Sequence, residues 1–182
     1  WDVFSNLPFI LFGLLGIFYC WKKEMPKAVR IYLYTFFIGA VLVGLGSGYY
    51  HLTPNSQTLV WDRLPMTVSF MSLVCLIMHL TDMPTTARKL FPFLIFAGIA
   101  SVVYWAVFND LKPYILVQFV PMVWIPIKLC KFKSPYNSYF WKVIIFYTLA
   151  KAFEMSDRMI YQLTDHIISG HTLKHLSASL SI

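Results

Sequence analysis

Membrane-length apolar runs, closed off by short polar loops, constrain this chain more than any other feature of its sequence. Seven can be marked, at about 4–21, 30–50, 60–80, 90–108, 113–130, 138–162 and 165–182. Most approach the roughly 20 residues that a helix needs to cross a hydrocarbon core. Loops such as WKKEMPKAVR, TDMPTTARK and CKFKSPYN are short, which places sequential helices side by side. The expected fold is all-α, an integral membrane seven-transmembrane helix bundle, in one domain over 1–182 without internal repeats. The last run is the shortest and is expected to continue past Ile182. Both ends look trimmed, and no basic n-region announces a signal peptide before Trp1.

Composition agrees with a lipid environment. Hydrophobic residues make up 58% of the chain and charged ones 13%, where soluble domains sit nearer 45–50% and 25%. The net charge of +7 does not mark a nucleic-acid binder, because the basic residues are spread over the loops and form no stripe. Their distribution is one-sided. Lys22, Lys23, Lys27, Arg30, Arg88, Lys89, Lys128, Lys131, Lys133 and Lys142 lie around the first, third and fifth loops. Only Arg63, Lys112 and Arg158 lie around the others, ten against three. The positive-inside rule then puts the N-terminus outside and the C-terminus in the cytoplasm. Cys20, Cys75 and Cys130 show no CxxC spacing and are expected to be small buried hydrophobes.

Polar residues inside such runs are costly and commonly functional. GSGYYHLTPNSQTLVWDR carries Ser47 and His51, one helical turn apart, and then Asp62 at the start of the third run. SGHTLKHL carries His171 and His175 at the start of the seventh, again four residues apart. The loop count puts all three stretches at a similar depth on one side, which argues for a single site. Three imidazoles would leave one tetrahedral position open on zinc, the arrangement of a catalytic centre. Asp62 could then move a proton and Ser47 could donate to a developing oxyanion. Taken singly, each histidine is equally well read as a hydrogen-bond partner between helices.

The set Ser-x3-His-x10-Asp followed by a distant His-x3-His resembles the CREST superfamily of seven-helix membrane hydrolases, which also contains progestin and adiponectin receptors. WDVFSNLPFI, GSGYYHLTPN, WDRLPM and SGHTLKHL are most similar to its alkaline ceramidase branch, over nearly the whole chain. The resemblance implies that His51, His171 and His175 bind Zn2+, that Asp62 transfers the proton and that Ser47 assists the transition state. It implies hydrolysis of the N-acyl bond of a ceramide-like membrane lipid to fatty acid and sphingoid base. An acyl-ester hydrolase of phospholipase A type and a receptor with structural zinc are the alternatives. Calcium regulation is not expected, since Asp2 alone cannot build an oxygen cage. Compact loops and the lack of an N-glycosylation sequon point to a bacterial inner membrane, with the endoplasmic reticulum or Golgi as the alternative.

Lys151, Glu154, Asp157 and Arg158 stand in the sixth run at spacings that allow Lys151–Glu154 and Glu154–Arg158 pairs, a polar seam facing inward. Asp165 and His166 are expected at the outer mouth, and His79 at the opposite end from the site. Trp61, Tyr49 and Tyr50 fit a membrane belt or a lipid entrance. Glycines 44, 46 and 48 are expected to allow close helix approach.

Overall fold

The computed structural model describes residues 1–182. It contains no strand. A 3-10 turn, Phe4–Asn6, leads into α1 (Leu7–Lys22), followed by α2 (Lys27–Leu52), α3 (Ser56–Leu80), α4 (Pro84–Phe108) and α5 (Lys112–Lys131). Then come α6 (Asn137–Met155), α7 (Asp157–Leu163) and α8 (Gly170–Ser179). Five helices, α1 to α5, are long and apolar enough to cross a membrane. α6 is interrupted by three charges, Lys142, Lys151 and Glu154.

α3 is the central helix. About 56% of its apolar window is buried, against 22% to 33% in the other four spans. It is held to α2 by small hydroxyl residues: Ser72 Oγ donates to the Tyr32 carbonyl at 2.6 Å and Ser69 Oγ to that of Phe36 at 3.3 Å. With no hydrophobic force between helices in lipid, such hydrogen bonds and close packing carry the association. Large side chains that point outward, such as Phe93, Phe96 and Val107 on α4, are exposed and suit acyl chains.

Several sequence expectations shift. The third run begins at Ser56, not 60, because Asn55 caps α3 in a capping box with Thr58. Asp62 therefore lies nearly two turns into α3. The sixth run breaks at Ser156 into α6 and α7, and the segment 165–169 stays outside α8. His171 consequently sits in the first turn of its helix. The break also removes the helical relation between Glu154 and Arg158: Arg158 is exposed, and Glu154 pairs with Lys151 and Lys174. Cys20 and Cys75 are buried as expected, but Cys130 is exposed in the last turn of α5. Gly48 faces open space and brings no helix close.

The end of the bundle opposite Leu52 holds the main apolar core. Tyr32, Leu73, Ile77, Ala87, Leu129 and Phe140 pack there, joining five helices. His79 lies at that end, its ring 5.7 Å from Tyr32 and far from the other site candidates in the fold.

Candidate metal centre

The site is built where α2 ends and α8 begins. Ser47 and His51 occupy the last two turns of α2, so both point to the same side. Gly46 lets α3 close in: a Cβ there would strike the Trp61 carbonyl, one residue before Asp62. Gly170 plays the same part for α8, whose first residue lies against the Phe153 carbonyl and the Asp157 backbone. Asp157 Oδ1 also accepts from the His171 backbone N–H at 2.7 Å, fixing the start of α8 on the break between α6 and α7. Ser169 caps α8 through Thr172 N–H.

His51, His171 and His175 meet, with one nitrogen of each within 4.8 Å of the others. Their ring centroids are 4.7, 5.0 and 4.6 Å apart. His51 Nε2 and His171 Nε2 are separated by 3.0 Å. Two nitrogens bound at 2.0–2.1 Å to one tetrahedral ion would lie about 3.3 Å apart, close to this spacing. A lysine, Lys174, also donates to His171 Nε2 at 3.1 Å. A neutral imidazole nitrogen offers one lone pair, and here a second imidazole and an ammonium both crowd it. The three-imidazole donor set and the His51–His171 spacing fit a cation among the rings, which would displace the Lys174 hydrogen bond from His171.

His175 is oriented from behind. Its Nδ1 lies 2.8 Å from Ser5 Oγ and 3.3 Å from Asn6 Nδ2. The Ser5 hydroxyl gives its single hydrogen to the Asp2 carbonyl, and therefore accepts from His175 Nδ1–H. That tautomer leaves the Nε2 lone pair free for a metal. The Asp2 carboxylate accepts from Ser169 Oγ at 3.1 Å and Thr172 Oγ1 at 2.7 Å, clamping the N-terminal segment on α8. The sequence does not single out Ser5 and Asn6, and it marks Asp2 only as too few a ligand for calcium. The polar pair Ser5–Asn6 at the head of an apolar run was the available signal.

Ser47, Asp62 and His175 line one cavity of about 160 Å³. Its wall is mostly apolar, with Phe36, Phe70 and Ile125 among its residues. Lys151, Glu154 and Lys174 line it too. Three of the five expected site residues thus share this cavity, and His51 and His171 join the set through their cluster with His175. Asp165 and His166 do not: both are exposed in a turn with positive φ, 49° and 66°. Trp61 and Tyr49 are exposed beside the site, and the Tyr50 ring lies 5.0 Å from that of His51.

No curated protein and no solved structure gives a significant match. The ceramidase family model matches residues 1–155, a stretch that carries Ser47, His51 and Asp62 and stops short of His171 and His175. With that match spanning most of its length, the chain belongs to the ceramidase family.

Proposed function

We propose that this protein is a zinc-dependent hydrolase that cleaves the N-acyl bond of ceramide-like lipids from within the membrane. One observation carries the reading: three imidazoles converge, and one of them, His175, lines an apolar cavity that also presents the Asp62 carboxylate and the Ser47 hydroxyl. His51, His171 and His175 would hold the ion, which when bound supplies a Lewis acid for the acyl carbonyl and lowers the pKa of water. Asp62 takes the proton of the attacking water and passes it to the departing amine nitrogen. Ser47 donates a hydrogen bond to the acyl oxygen as charge builds there. Ser5 keeps the His175 ring in register, and Asn6 Nδ2 donates to the Asp2 carbonyl beside it. The apolar cavity wall takes a hydrocarbon chain and excludes bulk water. The family supports amide over ester cleavage.

The test is incubation of the purified protein with N-acyl and O-acyl lipids, with and without a chelator, followed by mass spectrometry. Release of fatty acid and amino-alcohol from N-acyl lipids, abolished by the chelator, is expected. Cleavage that survives complete zinc removal would reject the metal role.

The proposal extends to topology. With ten basic residues around one set of loops and three around the other, the site faces the outside. Ser56→Cys should react with an impermeant thiol reagent on intact cells, and Lys131→Cys should be protected, in a background lacking native cysteines. The reverse pattern places the site at the inner leaflet.

A further inference from the structure

Lys174 and Lys151 are two ammonium groups on the wall of an apolar cavity, and the hydrolytic reading uses neither. Lys174 Nζ lies 3.3 Å from Glu154 Oε1, and Lys151 Nζ lies 2.6 Å from Glu154 Oε2. One carboxylate is thus shared by two cations. Asp62 is the other acid on this wall, and it forms an ion pair with neither lysine. Lys174 is four-fifths buried, its side chain 20% exposed. An ammonium carries three donors. Glu154 takes one of Lys174's, and His171 Nε2 takes another at 3.1 Å. A metal held by His171 would claim that lone pair, and Lys174, on the cavity wall, would keep Glu154 as its one acceptor within the chain. A buried donor without a partner is costly, more so when charged.

We infer that Lys174, positioned by Glu154 with Lys151 offsetting the carboxylate, is an anion subsite for the acyl end of the lipid. It binds the acyl oxygen of the substrate and the carboxylate of the fatty acid product. The ligand class is a long-chain carboxylate, its head at Lys174 beside the histidines and its tail along the apolar wall. The inference rests on the reading of this cavity as the acyl-lipid site. Lys174 touches the substrate in this arrangement, and Glu154 and Lys151 are positioning residues. Charge-assisted hydrogen bonds are roughly twice as strong as neutral ones, so the subsite should discriminate strongly between a carboxylate and an alcohol of equal chain length.

Equilibrium binding of palmitate and of hexadecanol to the purified full chain tests this, with zinc content measured on the same samples. Wild type should prefer palmitate. Lys174→Met should lose about tenfold or more of palmitate affinity, keep its hexadecanol affinity and keep its zinc. Lys174→Arg should retain most of the preference, and Glu154→Gln should strengthen palmitate binding, because the amide oxygen still accepts from Lys174 while the competing negative charge is gone. Unchanged palmitate affinity in Lys174→Met overturns the subsite. Should Lys174→Met fail to fold, weaker palmitate binding in Glu154→Gln would overturn it instead, and stronger binding would uphold it. A protein that holds no zinc and cleaves nothing, yet loses carboxylate preference with Lys174, sinks the hydrolase reading alone. Zinc and turnover without any palmitate preference in wild type sinks the subsite alone.

Discussion

The two ends of this bundle use the same helices for opposite purposes. At the far end, residues such as Ile77, Leu76 and Phe140 join α2 to α6 in one apolar core, and Ile77 is wholly buried. At the site end a smaller apolar cluster of Val102, Trp105 and Tyr114 joins α3 to α5, but the N-terminal turn and α8 meet through contacts that are polar and long in range. His175 meets Ser5, and Asp2 meets Thr172, across 170 residues of sequence. An apolar core tolerates substitutions of similar size, because its contacts have no direction. A hydrogen-bonded cluster does not, because one missing partner leaves another buried and unsatisfied. Substitutions at the far end should therefore change stability and spare chemistry, and those in the polar cluster at the site end should disturb the chemistry.

The sharpest contrast is between the histidines and Ile77. His51→Ala, His171→Ala and His175→Ala should each lose most of the bound zinc and all measurable lipid cleavage. Elemental analysis of the purified variants measures the first. Ile77→Ala should lower the free energy of unfolding by about 2–5 kcal/mol, the range for such truncations in a packed core, while zinc stoichiometry stays at the wild-type level. Full zinc occupancy in all three histidine variants would dismantle the proposed centre.

Within the site end, the two residues beside the rings should separate from their ligands. Asp62→Asn should fold, keep its zinc and lose about 10²–10⁴-fold in turnover, because an amide cannot accept the proton. Wild-type turnover would take the proton-transfer role away from Asp62. Ser47→Ala should lose about 10²–10³-fold, the scale of one oxyanion donor, with zinc again retained. A smaller effect is expected one layer further out. Ser5→Ala removes the acceptor of His175 Nδ1–H, and partners of that kind are worth about 10–100-fold in metal affinity. Competition with a zinc chelator of known affinity reads it directly.

What the sequence revealed follows the range of the interactions involved. Apolar length marks α1 to α5 without any tertiary knowledge, and all five appear as long helices. Ser47 with His51, and His171 with His175, were legible because a one-turn spacing fixes a shared face. Asp62 was visible for its type and missed in its depth, because the Asn55 capping box lengthens α3 by a turn ahead of it. The break at Ser156 was hidden: no proline or glycine marks it within KAFEMSDRMI, and the close seat of Gly170 on the Phe153 carbonyl is a tertiary fact. Lys174 stood in plain view between the two histidines. Its partner Glu154 lies on another helix, and helical spacing instead suggested Arg158 for that glutamate. Local periodicity reports which face a residue shares, and says nothing of what the chain brings to meet it.

The smallest expected effect tests whether the two ends are independent. Lys128, near the end of α5, pairs with Asp82 in the loop after α3, and its ammonium also lies 3.9 Å from the centre of the Phe132 ring. The hydrogen bond from Lys128 holds the Asp82 carboxyl below its ordinary value of 3.8, although some desolvation opposes it. A carboxyl lowered in the folded state adds stability at pH values above its unfolded value, and that stability is lost as pH falls through the folded one. The pair should therefore be fully formed at neutral pH and should fail only in acid below about 3.8. Asp82→Asn removes one partner, but the aromatic ring still faces the ammonium, and the exposed carboxylate was screened by solvent. Unfolding at neutral pH should shift only slightly, and the variant should lose the part of the acid dependence that Asp82 supplies. Zinc content and lipid cleavage should equal those of wild type. A fall in either would mean that the loop at the far end communicates with the histidines through α3, and the division between an apolar anchor and a polar site would have to be abandoned.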